Sequence, residues 1–216
     1  ASKASSEVLL GILRRIRHPH LSLKMLQLEF LSLKHAEKSF YTEYSSSYHD
    51  NTSREQHSMS ELMIYTVECN FNDPMSEASW NDFYSLDKLN ALISVSGFHT
   101  SQRFKALNTD VPVYLALHSI DNLAVLQSEE YREKGGGNFA RWQQHITDWY
   151  RNLYSGLNHA PAIAQDEYLV VSSIGPEPFI EMGLTPYTLQ AVALDQSPQY
   201  RWLAKLQQSA INTQQV

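Results

Sequence analysis

The chain has one cysteine, Cys69, so no internal disulfide forms, and its place in a predicted strand suggests a buried thiol in a reducing compartment. No apolar run approaches the roughly 20 residues that span a bilayer. The run from Val8 to Ile16 is interrupted by Gly11, Arg14 and Arg15, so no membrane partner is expected. Gly-x-Ser-x-Gly, His-Glu-x-x-His and the dinucleotide fingerprint are all missing, which removes support for hydrolase, zinc peptidase and Rossmann readings and leaves no cofactor to expect. Gly135-Gly136-Gly137 lacks the Lys-Ser/Thr and the preceding parallel strand of a phosphate loop, and reads as a mobile connection. His18 and His20 are close together without a third ligand at usable spacing, so no metal is expected.

Charge is also unevenly supplied. Residues 1–58 carry eight Lys/Arg against six Asp/Glu, whereas the remainder carries nine against seventeen. The main body lacks the clustered cations that phosphate binding needs, so nucleic acid is not an expected partner. An acidic, soluble, cytoplasmic protein is the default. With 216 residues, 43% hydrophobic content and 12 tyrosines, the chain can bury a sizeable core in one or two domains.

The most informative stretch runs from Leu62 to Ile120, and the spacing predicts a helix over Pro74 to Val95. Asp73 can cap its first amide, Pro74 suits the first helical position, and Gly97 supplies a stop. At 100° per residue Trp80, Phe83, Tyr84, Leu86, Ala91, Ile93 and Val95 share one broad face, and Asp87 and Asn90 fall inside it. Leu62 to Asn70 alternates as a strand, with Met63, Tyr65, Val67, Cys69 and Phe71 on the face expected beneath the helix. Phe98 to Leu107 and Val113 to Ile120 read as a hairpin turned at Asn108-Thr109-Asp110. A helix from Asn122 to Glu133, capped by Asp121, follows. Phe139, Trp142, Ile146 and Trp149 suggest another helical stripe, and Tyr150 to Tyr154 a fourth strand.

That β-α-β-β-α-β order is the split βαβ arrangement, which gives an α+β, ferredoxin-like antiparallel sheet with helices on one face. The other face, bearing Ile64, needs cover. Two such modules can close a barrel between chains or within one, and residues 157–216 supply a partial module: strands at Tyr168 to Ile174 and Tyr187 to Leu194, and a helix from Pro198 to Ala210. A homodimer is the simpler expectation. Residues 1–61 read as a helical and linker extension, with weak helices over Ala4 to Ile16 and Leu21 to Leu33 and a polar linker from Ser45 to Ser58. On one reading the native chain starts at Met59. The domains are then 1–61, 62–156 and 157–216.

Trp80-Asn81-Asp82-Phe83-Tyr84, Asp87-Lys88-Leu89, Val95, Gly97-Phe98 and Arg103-Phe104 together resemble the EthD-like members of the dimeric α/β-barrel superfamily. Pro112-x-Tyr114-Leu115-Ala116-Leu117 and Ala124-Val125-Leu126-x-Ser128-x-x-Tyr131 extend the resemblance over about residues 62–155. It implies a small apolar or aromatic partner and oxidative breakdown of such compounds. Lys88 stands where the family usually has histidine, a departure that bears on acid/base chemistry.

Two clusters are candidates for chemistry. Asp87 beside Tyr84 and Lys88 could orient or deprotonate a bound molecule, or Asp87 could pair with Arg103 and fix the helix on the sheet. Glu68, His118 and either His99 or Arg103 could meet on one sheet face as an acid/base group or as a satisfied polar set. Trp80, Phe83, Trp142 and Trp149 could wall an aromatic pocket or simply form core. Two functions from different classes remain: a cofactor-independent oxygenase or isomerase-like enzyme, and a non-catalytic binding or assembly module.

Overall fold

The computed structural model describes residues 23–33, 61–107, 112–135 and 139–212. The expected Ala4 to Ile16 helix, the Ser45 to Ser58 linker, His18, His20 and the Asn108 to Asp110 turn lie outside them. The fold is α+β, with eight antiparallel strands and short helices. Its strands are β1 (Leu23–Leu33), β2 (Met63–Phe71), β3 (Phe98–Ala106), β4 (Tyr114–Ile120), β5 (Ile146–Ser155), β6 (Glu167–Ser172), β7 (Tyr187–Leu194) and β8 (Tyr200–Gln207). They close a barrel in the order β1-β3-β4-β2-β5-β7-β8-β6.

The closure has a simple logic. The first half of the barrel is ordered β5-β2-β4-β3. The second half has the same order if β6, β7 and β8 count as its first three strands and β1 as its fourth. Each seam, β5 with β7 and β1 with β3, then joins the fourth strand of one half to the second strand of the other. Closure within one chain thus replaces the homodimer as the cover for the inner sheet face.

Two expected helices are strands. Leu21 to Leu33 was expected to be helical, but Leu23–Leu33 pairs with β3 and β6. Pro198 to Ala210 was expected to be helical, but Tyr200–Gln207 pairs with β6 and β7, and only Gln208–Asn212 (α6) coils after it. These two strands complete what the sequence showed as a partial module.

Alternation divides every strand between two environments. Leu26, Ile64, Phe104, Leu115, Leu117, Tyr154, Leu169, Val171, Leu189 and Leu203 fill the barrel, as expected of an eight-stranded interior. The segment after β5 enters the same interior. Its Ala160 and Ile163 amides donate to Ser119 Oγ at 2.9 Å and Gln102 Oε1 at 3.0 Å. The opposite parity of the first half, including Tyr65, Val67 and Cys69, packs beneath helices as anticipated.

The helical layer begins with α1 (Glu77–Asp82), a π-helical segment (Phe83–Lys88) and α2 (Leu89–Ile93), which follow without a break. The start is later than the spacing predicts. Asp73 accepts the Met75 amide at 3.2 Å and the Ser76 hydroxyl, holding residues 74–76 in a turn. Gly97 adopts φ +88°, and a Cβ there would meet Val125 Cγ2 at 2.5 Å, so this turn needs glycine. The second expected helix is two: α3 (Leu123–Gln127) and α4 (Glu129–Lys134), separated by Ser128 at ψ 152°. Asn122 rather than Asp121 caps α3, by accepting the Ala124 amide. The Phe139 to Trp149 stripe is a 3₁₀ turn (Ala140–His145) that leads directly into β5. In the second half α5 is only Glu177–Glu181.

Candidate functional site

The site lies on the outer face of the first half-sheet, beneath α1, the π-helical segment and α2. Trp80, Tyr84, Lys88 and Leu92 are all buried, four residues apart. In a regular α-helix a four-residue step overshoots a full turn by about 40°, so this stripe would drift around the axis. Wider i→i+5 turns, such as the Leu89 amide to the Tyr84 carbonyl, offset the drift. This shift overturns the expected placement of Asp87: Asp87, Leu86 and Asn90 are exposed, and Lys88 points inward. Arg103 accordingly pairs with Asn81 and not with Asp87.

Arg103, on β3, is 1% exposed. Its guanidinium carbon lies 4.6 Å from the Trp80 ring, 4.6 Å from Tyr84 and 4.4 Å from Tyr114. Cation–π attraction in this dry setting offsets part of the cost of burying the charge. Its Nη2 donates to Asn81 Oδ1 at 2.7 Å, and Asn81 Nδ2 donates to the Tyr114 hydroxyl at 3.2 Å. Tyr114 in turn donates to Glu77, whose other partner is Lys105 at 3.0 Å. The Tyr114 bond, with help from Lys105, holds the Glu77 carboxyl below the usual range. Two donors in the cage are unsatisfied among the described residues: Arg103 Nη1 and Trp80 Nε1. Each such buried donor costs about 1–3 kcal/mol.

Further along the same layer, Lys88 donates to the Gly135 carbonyl at 2.8 Å and lies 4.5 Å from the centroid of Phe139. Burial lowers its pKa to about 8. Cys69, facing the same layer, is pushed up to about 12 by burial and stays a thiol. His118 stands opposite Tyr65 across β2 and β4 and stacks on it at 5.4 Å. Its Nδ1 bonds Ser101 Oγ at 2.8 Å, and its Nε2 is a third orphan. Burial, with a smaller contribution from the Lys88 charge, lowers the imidazole to about 3 and keeps it neutral. The Tyr65 and Tyr131 hydroxyls meet at 3.1 Å beside it.

The layer therefore unites Trp80, Tyr84, Lys88, Arg103 and His118 of the expected residues. Phe83 and Trp142 pack together at 4.7 Å, Trp142 buried within the layer and Phe83 partly buried against it. Glu68 does not join His118, because the register places it opposite Leu115 on the inner face. There it binds Arg201 and, at 3.4 Å, Lys24. His99 also stands apart, bonded to Asp121 at 2.6 Å beyond a register shift in β3. Asn81, Tyr114, Tyr65, Tyr131 and Cys69 were not singled out from sequence. Parity did place Tyr65 and Cys69 beneath the helix, and it could have added Tyr114, which shares its strand face with His118. Among the described residues no group of three His, Cys, Asp or Glu could hold a metal ion. No helix there is long and apolar enough to cross a membrane.

No family model and no curated protein matches the chain. Among solved structures it is similar to one described as an anthrone oxidase-like protein, at 10% identity and a TM-score of 0.31, over 76% of this chain and 92% of that one. A likeness at that TM-score is coarse, and the functional reading rests on the site alone.

Proposed function

We propose that this chain is an EthD-like α/β-barrel protein that unites two ferredoxin-like modules in a single cytoplasmic polypeptide. In this reading it binds a small aromatic molecule between helix and sheet in its first half. The supporting observation is the Arg103 cage: a buried guanidinium among three aromatic rings, with Nη1 and the neighbouring Trp80 Nε1 both lacking acceptors among the described residues. Two adjacent buried donors ringed by π-faces suit a planar guest that carries a carboxylate or a polarised oxygen. Asp87 has no part in this reading, because it faces solvent. The enzymatic form of the proposal is cofactor-independent oxygenation or isomerisation of that guest.

Binding tests the reading directly. 2-Naphthoate should bind the wild-type protein at least tenfold more tightly than naphthalene, because a charged hydrogen bond contributes about 1.5–3 kcal/mol. Arg103→Met should abolish that preference and Arg103→Lys restore part of it, as read by calorimetry and the Trp80 emission. Equal affinity of the two compounds for the wild type would overturn the proposal.

A further inference from the structure

We propose that Lys88 captures carbonyl compounds in this layer, forming an imine with a small aromatic aldehyde or ketone. The inference rests on the aromatic-guest reading above and specifies the chemistry of its second half. Lys88 is 6% exposed, on the helical stripe that also supplies Trp80 and Tyr84 to the Arg103 cage. Its amine is held in place from two sides, by the Gly135 carbonyl at 2.8 Å and the Phe139 face at 4.5 Å, with the Tyr84 ring at 6.0 Å. Burying an ammonium costs several kcal/mol, whereas an amine that must shed its proton to react gains from the same burial. With a pKa of about 8, roughly a tenth of the Lys88 amine is unprotonated at pH 7, against well under a hundredth for an ordinary lysine.

The step balances without an oxidant or reductant. The Nζ lone pair attacks the carbonyl carbon, and the C–O π pair moves to oxygen, which takes a proton. Nitrogen gives up one proton as the carbinolamine forms, the hydroxyl takes a second proton and leaves as water while the nitrogen lone pair forms C=N, and nitrogen sheds its remaining proton to leave the neutral imine. Arg103 holds an anionic group elsewhere on the guest.

The probe is 4-formylbenzoate with cyanoborohydride, which reduces the imine to a stable secondary amine that peptide mass mapping locates. Lys88 should be modified at pH 7 at least tenfold faster than Lys105, Lys134 or Lys205, each about two-fifths exposed in its side chain. Excess 2-naphthoate should block it. Labelling that follows exposure, with Lys88 slowest, overturns the proposal. If 2-naphthoate binds with its Arg103 preference intact while Lys88 stays unlabelled, carbonyl capture fails and the aromatic site stands. If 2-naphthoate does not bind, the site itself fails. Lys88→Arg, which keeps the charge but cannot form the imine, should remove the fast adduct.

Discussion

His118 should make the barrel acid-sensitive at pH values where most proteins remain stable. Its imidazole is fully buried and its pKa falls from 6.5 to about 3, so in the folded state it stays neutral through the mildly acidic range. The unfolded chain protonates first as pH falls, so the stability that this group contributes is complete above about pH 6.5. It is lost progressively as pH falls to about 3. At pH 5 the displacement amounts to about 1.5 pH units, or about 2 kcal/mol at 1.36 kcal/mol per unit. Urea unfolding followed by tryptophan fluorescence at pH 7 and pH 5 measures it. Wild type should lose about 2 kcal/mol more than His118→Gln over that interval, because the other histidines are common to both proteins and cancel. The absolute stability of the variant does not matter, since only the pH difference is compared. Equal losses would refute the claim that a buried, neutral His118 resists protonation.

Two further outcomes test the barrel itself. Glu68→Gln should cost about 3–5 kcal/mol and lower the melting temperature by about 10 °C, because it leaves Lys24 and Arg201 in the interior without their carboxylate. A change below about 1 kcal/mol would show that the inner charges are solvated. A chain begun at Met59 should lose cooperative unfolding and bind a hydrophobic dye, since it lacks the strand between β3 and β6 and the buried Met25 and Leu26. An unchanged melting temperature would mean that β1 is dispensable.

Most of the first half was legible in the sequence because its signals are local. β2, β3 and β4 are rich in β-branched and aromatic residues, and the turn residues between elements have strong preferences, as at Gly97. β1 and β8 were misread for one reason. In each, two adjacent apolar residues, Met25 and Leu26 or Leu203 and Ala204, are both buried on opposite faces, which obscures the period of two. The remaining apolar positions then match a helical spacing by accident, and only pairing across the barrel decides. Tyr84, expected on the aromatic helix face, and Arg103, expected on the sheet beneath it, do meet, but Arg103 does so through the Tyr84 ring and Asn81 and not through Asp87. Lys88 and Asp87 exchanged roles because the π-helical segment changes the phase of the helix, and a fixed 100° step cannot register that. Glu68 and His118 separated because register, which sequence does not specify, placed them at opposite parities.

The two halves of the barrel share a strand order but not a chemistry, and this difference argues that the polar layer is functional. In the second half the outer face presents Met25, Val170, Ala204 and Leu206 beneath Phe179 from a five-residue helix. Such a face is a sufficient solution to covering a sheet, and it buries no charge. The first half solves the same geometric problem with Arg103, Lys88, His118 and Cys69 among its aromatics, and among the described residues it leaves three buried polar atoms there, of Trp80, Arg103 and His118, unsatisfied, the fourth being Arg201 Nε on the inner face. Each of those choices lowers stability relative to an apolar one, by about 1–3 kcal/mol per unsatisfied group. Stability alone would not retain them on one side of a barrel whose other side shows that they are unnecessary. A guest that supplies the missing partners accounts for all three at once.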